Sequence, residues 1–201
     1  MIRNLIFDFG GVLIDWNPRY LYASYFQSKE EMELFLRRVG FDQWNAKLDG
    51  GYPLNQGVTE LCRKFPEYDE PIRLFRDEWE KTVKGPMPGM SGLLDRLKAN
   101  GYKLYGLTNW SNETFPIARR KYPLFERLDG IVVSGAEKIC KPDPRIYHIL
   151  LDRYQLSAAE TLFIDDTQAN IDAARKIGFS VIHFSGYDAL VKELERFQIK
   201  L

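Results

Sequence analysis

A chain of 201 residues is long enough to bury a full hydrophobic core, and one domain with a sizeable insertion is a natural division of it. Its 28 Lys and Arg residues balance 28 Asp and Glu residues without a basic stripe, so nucleic acid is not expected as the main partner. Because no apolar run approaches membrane-spanning length and the N-terminus leads directly into a predicted strand, we expect a cytoplasmic protein with no membrane partner.

The few cysteines and histidines exclude further classes of site. Cys62 and Cys140 show no metal or redox spacing and are predicted to be reduced thiols. His148 and His183 lie far apart in sequence, so neither a histidine zinc site nor a Ser-His-Asp triad has support.

The first predicted strand begins at Asn4 and is apolar apart from Asp8, which stands just before Gly10 and Gly11. A short continuous apolar run is typical of a strand buried on both faces. A carboxylate is costly to bury without a cation or hydrogen-bond donors, which favours the carboxyl end of the strand, where parallel α/β sheets bind ligands. On this stretch alone, an aspartate that caps the next turn explains the pattern equally well.

The next seventy or so residues have helical patterns and no predicted strand. Asn17-Pro18 is a helix start, and Ser28 with Glu31 forms a capping box. Further helices are predicted over 41–51, 53–65 and 69–83. This block is predicted to be a small helical domain inserted after the first strand.

Helices and strands then alternate to the end of the chain. The predicted strands are 103–107, 130–133, 161–164 and 181–184, each separated from the next by a helix. Such alternation indicates a parallel sheet with helices on both faces. The predicted architecture is α/β, with a Rossmann-like parallel-sheet core over 1–15 and 87–201 and an α-helical cap over 16–86.

Polar residues follow several of these strands, as Asp8 follows the first. Thr108-Asn109 and Asp165-Asp166 each come at the end of a strand, and Lys141 lies in the loop after the third core strand. Singly, these pairs are more often a helix cap or a solvated loop, and Lys-Pro-Asp-Pro is more often a turn before a helix. Their shared position at the strand ends of one sheet is what those interpretations leave unexplained.

Together the strand-end residues predict a phosphate site. Two carboxylates such as Asp8 and Asp166, held about 4 Å apart, would repel by roughly 4 kcal/mol at an effective dielectric near 20. A divalent cation removes that repulsion, and Mg²⁺ favours carboxylate, carbonyl and phosphate oxygens. Lys141, Thr108 and Asn109 would hold the remaining phosphoryl oxygens. A carboxylate in line with phosphorus can attack it and form an aspartyl phosphate.

Four ordered motifs, Asp-Phe-Gly-Gly-Val, Leu-Thr-Asn, Lys-Pro-Asp and Ile-Asp-Asp-Thr, with a helical block after the first, resemble the haloacid dehalogenase (HAD) superfamily of hydrolases. Within it the chain is most similar to bacterial sugar-phosphate phosphatases like α-glucose-1-phosphate phosphatase, which also carry glycine two places after the nucleophile. The resemblance covers essentially the whole chain. It implies a Mg²⁺-dependent phosphatase that acts on a small phosphorylated metabolite, most simply a sugar phosphate.

The resemblance also implies a role for each motif residue. Asp8 is the nucleophile and a Mg²⁺ ligand, and Lys141 neutralises both nucleophile and phosphate. The remaining implied roles are phosphoryl binding by Thr108 and Asn109, metal binding by the Gly10 carbonyl, Asp166 and Asp165 (directly or through water), and orientation of Lys141 by Asn170.

One departure from the family pattern affects the chemistry. Most family phosphatases carry a second aspartate two residues after the nucleophile, which protonates the leaving group and activates water, and here that residue is Gly10. General acid–base catalysis is typically worth about 10²–10⁴-fold. Asp15 is a possible substitute, although capping the start of the helical block is its more ordinary role.

The cap is expected to select the substrate because the core holds only the phosphate. Its candidates for contact with the substrate are Trp16 and Trp44, with Lys47 and Asp49 as further residues facing the site and Trp110 on the core side. Each tryptophan is more often part of a hydrophobic core.

Two other functions compete with the phosphatase. A 2-haloacid dehalogenase also uses the first aspartate and tolerates the missing second one, but it attacks carbon and needs no metal; the pair Asp165-Asp166 argues against it. A non-catalytic binding or regulatory protein with this fold would have had no reason to keep Asp8, Lys141 and Asp166 together.

Overall fold

The computed structural model describes all residues from Met1 to Leu201, and a five-stranded parallel sheet forms its centre. Its strands are Asn4–Phe7 (β1), Lys103–Thr108 (β4), Gly130–Val133 (β5), Thr161–Asp165 (β6) and Ser180–His183 (β7). Their order in the sheet is β5-β4-β1-β6-β7. Because β1 pairs with β4 on one side and β6 on the other, the ends of these three strands meet at one edge.

Eleven α-helices surround the sheet and form the insertion. The insertion contains Pro18–Tyr22 (α1), Lys29–Val39 (α2), Phe41–Asp49 (α3), Leu54–Lys64 (α4) and Asp69–Asp77 (α5). The core contains Met90–Ala99 (α6), Phe115–Lys121 (α7), Ser134–Glu137 (α8), Pro144–Tyr154 (α9), Gln168–Ile177 (α10) and Tyr187–Arg196 (α11). The predicted α/β fold with a Rossmann-like sheet is confirmed.

Alternate residues of the central strand bury on opposite faces of the sheet, as a parallel strand requires. Leu5 and Phe7 belong to a large hydrophobic cluster that includes Leu93 of α6 and Leu190 of α11. Ile6 belongs to a second cluster with residues of α9 and α10. Both faces of the sheet are therefore covered by helices.

The predicted helix starts are present in the structure. Asn17 accepts a hydrogen bond from the backbone N–H of Arg19, with Pro18 at the first helical position. Ser28 accepts from the backbone N–H of Glu31, whose carboxylate accepts in turn from Gln27. These side chains satisfy N–H groups that the first helical turn leaves unpaired.

The insertion is joined to the core by two short strands that the sequence did not predict. Ile14–Trp16 (β2) pairs antiparallel with Val83–Pro86 (β3), so the predicted helix over 69–83 is wrong at its end. Helix α5 stops at Asp77, and a 3₁₀ turn over Trp79–Thr82 leads into β3. Along β3, buried and exposed residues alternate with the period of a strand, but its glycine and proline conceal that pattern in the sequence.

Two further expectations can be compared with the structure. Neither Cys62 nor Cys140 is in a disulfide. No helix combines the length and the apolar character that crossing a membrane requires.

Candidate active site

The strand ends bring the predicted polar residues together at one edge of the sheet. Asp8 follows β1, Thr108 ends β4, and Asp165 ends β6, with Lys141 reaching in from the loop between α8 and α9. All four side chains are buried, with at most 8% of any residue exposed. Four buried polar residues at this edge mark it as a site rather than a solvated loop.

Lys141 is the cation of the cluster. Its Nζ lies 2.8 Å from Asp8 Oδ1 and 2.7 Å from Asp165 Oδ2, and it donates to the carbonyl of Leu107 at 2.8 Å. These contacts use all three N–H bonds of the ammonium group. Burial alone would lower the pKa of Lys141, but the charges of Asp8 and Asp165 outweigh it and raise that pKa. The lysine is therefore held charged between two carboxylates.

Burial raises the pKa of Asp8 to about 7, and the attraction of Lys141 opposes this rise. The neighbouring negative charge of Asp165 adds to it. An additional cation beside Asp8 would favour the ionised carboxylate, which is the form that acts as a nucleophile.

Asp165 is committed to interactions within the protein. Its carboxylate accepts from Asn170 Nδ2 at 3.0 and 3.1 Å, from the backbone N–H of Thr167 at 2.8 Å, and from Lys141. It is fully buried. Asn170 thus acts on Lys141 through Asp165 rather than by direct contact, and Asp165 has its principal role in holding the lysine.

Asn109 holds the backbone of the same lysine. Its Oδ1 accepts from the Lys141 N–H at 2.8 Å, and its Nδ2 donates to the Lys141 carbonyl at 2.9 Å. An amide NH₂ has two N–H bonds, so one remains for a ligand. This reciprocal pair couples the end of β4 to the lysine loop.

Three carboxylates could hold a metal ion here: oxygens of Asp8, Asp165 and Asp166 lie within 4.8 Å of one another. Asp166 is exposed, and Asp165 is already saturated by donors. The exposed carboxylate, the Asp8 carboxylate and the adjacent backbone carbonyls form a hard oxygen donor set of the kind that suits Mg²⁺.

Gly11 leaves the space that Asp166 occupies. Its φ is +78°, and a Cβ on it would lie 2.5 Å from Asp166 Oδ2. The backbone of the first loop and the Asp166 carboxylate therefore approach each other more closely than any residue with a side chain at position 11 permits. No role for Gly11 was predicted, although the glycine pair after Asp8 is the signal in the sequence for such a close approach.

A cavity of about 60 Å³ lies between the insertion and this edge of the sheet. Trp16, Phe75, Trp79 and Trp110 form aromatic walls, and its polar lining comes from Gly10, Asn45, Asp49, Asn109, Ser111 and Thr114. Largely apolar concave surfaces with a few placed polar groups are typical of small-molecule sites.

Two of the candidates from the cap line this cavity and two do not. Trp16 and Asp49 line it. Trp44 is buried inside the insertion, where its Nε1 donates to the carbonyl of Gly57 and its ring packs on Phe41 and Phe75. Lys47 is exposed on a separate outer groove of the insertion. Neither residue reaches the Asp8 edge.

The structure also locates Asp15 and Gly10. Asp15 accepts a hydrogen bond from Tyr20 Oη at 2.9 Å and is not among the residues that line the cavity, whereas its neighbour Trp16 is. The φ of Gly10 is not positive, and a Cβ there would meet nothing within 4 Å.

A family model, haloacid dehalogenase-like hydrolase, matches residues 2–178. One relative is sesquiterpene phosphatase astK of Aspergillus oryzae, which is 28% identical over 95% of this chain and 94% of that protein. Another is (S)-2-haloacid dehalogenase 1 of Pseudomonas sp., which is 34% identical over 92% of this chain and 85% of that protein. The chain spans only 19% of a third relative, mouse acyl-CoA dehydrogenase family member 10, at 29% identity over 96% of this chain.

Among solved structures, HAD family enzyme BT-2542 of Bacteroides thetaiotaomicron, in complex with magnesium and inorganic phosphate, superposes with a TM-score of 0.70. It is 21% identical, and the match covers 92% of this chain and 96% of that one. The chain belongs to the haloacid dehalogenase-like hydrolase family.

Proposed function

We propose that this haloacid dehalogenase-like hydrolase is a Mg²⁺-dependent phosphatase that hydrolyses a small phosphorylated metabolite through an aspartyl phosphate on Asp8. The observation that carries the proposal is the Asp8–Lys141–Asp165 ion network with the exposed Asp166 carboxylate beside it. The family contains phosphatases, among them astK and a phosphorylated carbohydrates phosphatase of Thermotoga maritima.

Each residue of the network has a separate task in this proposal. The Asp8 carboxylate attacks phosphorus, and Lys141 neutralises the negative charge shared by the nucleophile and the phosphoryl oxygens. Asp165 and Asn109 hold the lysine at its side chain and its backbone, so the charge does not have to reorganise during the reaction. Thr108 and the second amide N–H of Asn109 bind the phosphoryl group.

The metal would be held by Asp8, Asp166 and the carbonyl of Gly10, with Asp165 bound to the protein rather than to the ion. When bound, Mg²⁺ supplies charge neutralisation that lets the Asp8 carboxylate approach an anionic phosphoryl group. The donor set fits this ion because it consists of hard oxygen atoms only.

The cavity bears on the choice of substrate. A sugar phosphate, the substrate class predicted from the sequence, would stack a ring on Trp16 or Trp110 but would find few free polar groups for its hydroxyls. The Nε1 of Trp110 already donates to Thr114, and Asn45 donates to Asp49. An aryl or prenyl phosphate would use the aromatic walls more fully. Both classes therefore belong in the first assay.

The test is a panel of sugar, aryl, acyl and prenyl phosphates, assayed for phosphate release with Mg²⁺ and with excess EDTA. Asp8→Asn is the matched control because it removes only the nucleophilic charge. We expect Mg²⁺-dependent release by the wild type and none above background by the variant. Full activity in EDTA, or equal activity of Asp8→Asn, would contradict the proposal.

A 2-haloacid dehalogenase remains a second candidate because the Pseudomonas dehalogenase is 34% identical and the cavity is apolar enough for a halogenated carbon chain. Chloride release from 2-chloropropionate in EDTA would identify this activity. A protein that releases neither phosphate nor chloride would fit the non-catalytic alternative.

A further inference from the structure

The step that this site lacks is proton transfer to the leaving group. Gly10 provides no carboxyl two residues after Asp8, and Lys141 has all three N–H bonds engaged. Building on the proposed phosphatase function, we infer that Asp49, from the insertion, is the general acid and base of the reaction in place of a carboxylate at position 10.

Asp49 is the one acidic residue among the twelve that line the cavity, and it shares that cavity with Gly10. No basic residue or histidine lines it either. Any side chain that exchanges a proton with a substrate seated there must be Asp49 or a weakly acidic hydroxyl, and a carboxyl is by far the better acid near neutral pH.

Hydrogen bonds between the insertion and the core hold Asp49 in place. Ser134 Oγ donates to the Asp49 carbonyl at 2.6 Å, and Glu113 accepts from the backbone N–H of Leu54 at 2.8 Å. Between them, a Cβ on Gly51 would lie 2.6 Å from the carbonyl of Gly135, so the two backbones are in close contact. The end of α3 is thereby fixed against the core loops beside the cavity.

The Asp49 carboxyl is oriented as well as positioned. Its Oδ2 accepts from Asn45 Nδ2 at 2.9 Å, one helical turn earlier on α3. The backbone N–H of Ser111 lies close enough to favour the ionised form of the carboxyl. Each carboxyl oxygen has two lone pairs, so the carboxyl keeps a site that can carry the proton beside these two donors.

The surroundings of the Asp49 carboxyl shift its pKa towards neutral pH. Burial, opposed by the Ser111 amide and reinforced by the charge of Asp8, raises the pKa of Asp49 to about 7. The other ionisable residues on the elements that pack against Asp49 are Cys140, Lys141, Lys138 and Glu113. The charge of Asp49 contributes to the raised pKa of the Cys140 thiol, which is neutral at pH 7. A carboxyl with a pKa near 7 exists in both protonation states at neutral pH, as a group that acts first as acid and then as base requires.

The two half-reactions balance. As Asp8 attacks phosphorus, the bond from phosphorus to the leaving oxygen breaks, and that oxygen takes the Asp49 proton and departs as an alcohol. The Asp49 carboxylate then removes a proton from water, whose oxygen attacks the aspartyl phosphate. Inorganic phosphate leaves, the Asp8 carboxylate is restored, and Asp49 is protonated again.

Asp15 is the matched control for this assignment. It lies in β2 next to Trp16, is hydrogen-bonded to Tyr20, and does not line the cavity. Asp15→Asn therefore makes the same chemical change as Asp49→Asn at a carboxyl outside the cavity.

The experiment compares wild type, Asp49→Asn and Asp15→Asn on a series of aryl and alkyl phosphates at fixed Mg²⁺. For alkyl esters, whose leaving oxygen needs a proton, we expect Asp49→Asn to lose about 10²–10⁴-fold in rate. The leaving group of 2,4-dinitrophenyl phosphate departs without a proton. The rate of aspartyl phosphate formation from this ester, measured as a pre-steady-state burst of dinitrophenol, should therefore change by less than about 10-fold. The same burst shows that the variant is folded. Asp15→Asn should follow the wild type.

The pH profile gives an independent measurement. Since Asp49 must be protonated to act as an acid, the wild-type rate on alkyl esters should fall as pH rises above about 7, and Asp49→Asn should lack that fall. A leaving-group dependence in Asp49→Asn that matches wild type would overturn the inference. If the wild type hydrolyses no ester with Mg²⁺, the proposed function is wrong and the inference fails with it.

Discussion

Gly10 and Gly11 offer a matched pair of substitutions that tests the geometry of the metal site. Gly11→Ala forces a side chain into a left-handed conformation, at φ +78°, and places its Cβ 2.5 Å from Asp166 Oδ2. Gly10→Ala adds the same methyl group where φ is not positive and where nothing lies within 4 Å. The two variants carry the same chemical change and differ only in its position.

The expected magnitudes follow from these contacts. A residue other than glycine in the left-handed region costs roughly 1–2 kcal/mol, which should lower the free energy of unfolding of Gly11→Ala by that amount. The clash itself costs less, because the Asp166 side chain is exposed and can turn away. Its displacement should instead weaken Mg²⁺ binding by about 10-fold or more, comparable with other changes around a metal ligand.

Two measurements separate the effects. Urea denaturation in EDTA gives the unfolding free energy without metal, and calorimetric titration with Mg²⁺ gives the affinity. Gly10→Ala should stay within about 0.5 kcal/mol of wild type and bind Mg²⁺ equally well. Equal Mg²⁺ affinity in Gly11→Ala and wild type would refute the placement of Asp166 as a metal ligand beside Gly11.

Four other substitutions test the rest of the site. Asp8→Asn should keep the thermal transition of the wild type but less than about a tenth of its turnover, because only the nucleophilic charge is removed; higher residual turnover would exclude covalent catalysis. Lys141→Met leaves two buried carboxylates without their cation and should lower the unfolding free energy in EDTA by about 3–5 kcal/mol, so a loss under about 1 kcal/mol would contradict the buried ion network. Trp44→Ala should destabilise the fold by about 3–5 kcal/mol without changing the order of preferred substrates. Trp16→Ala should change that order. If both variants change the order in the same way, Trp44 lies in the cavity.

The common edge at which the parallel strands end explains why so much of the site could be predicted. Each strand of a parallel sheet ends at the same edge, so Asp8, Thr108 and Asp165 had to lie near one another once their strands were recognised. Runs of buried aliphatic residues before them made those strands recognisable. The position of Lys141 depended instead on its motif, since it lies beyond a short helix and not at a strand end.

Other features needed information that no single stretch of sequence carries. Asp165 holds the lysine and Asp166 is exposed, and which of the two takes which position depends on how one peptide turns at the end of β6. Asp15 and Trp16 are adjacent in β2, and only Trp16 lines the cavity. Strand β2 forms only by pairing with β3, which lies nearly seventy residues later in the chain. Strands of three and four residues have too little periodicity of their own to be detected.

The hydrophobic cluster under the cavity has a consequence for how new specificities arise in this chain. The cluster runs without interruption from Phe41 and Phe75 in the insertion to Leu93 in the core, and Trp79 contacts Trp110 across the junction with ring centroids 5.7 Å apart. Replacement of the whole insertion by another would expose the apolar residues on both sides of this contact or leave them poorly packed. Substrate preference in such a molecule is therefore expected to evolve by replacement of single side chains at the cavity rim, with the insertion inherited as an inseparable part of the same cooperative unit.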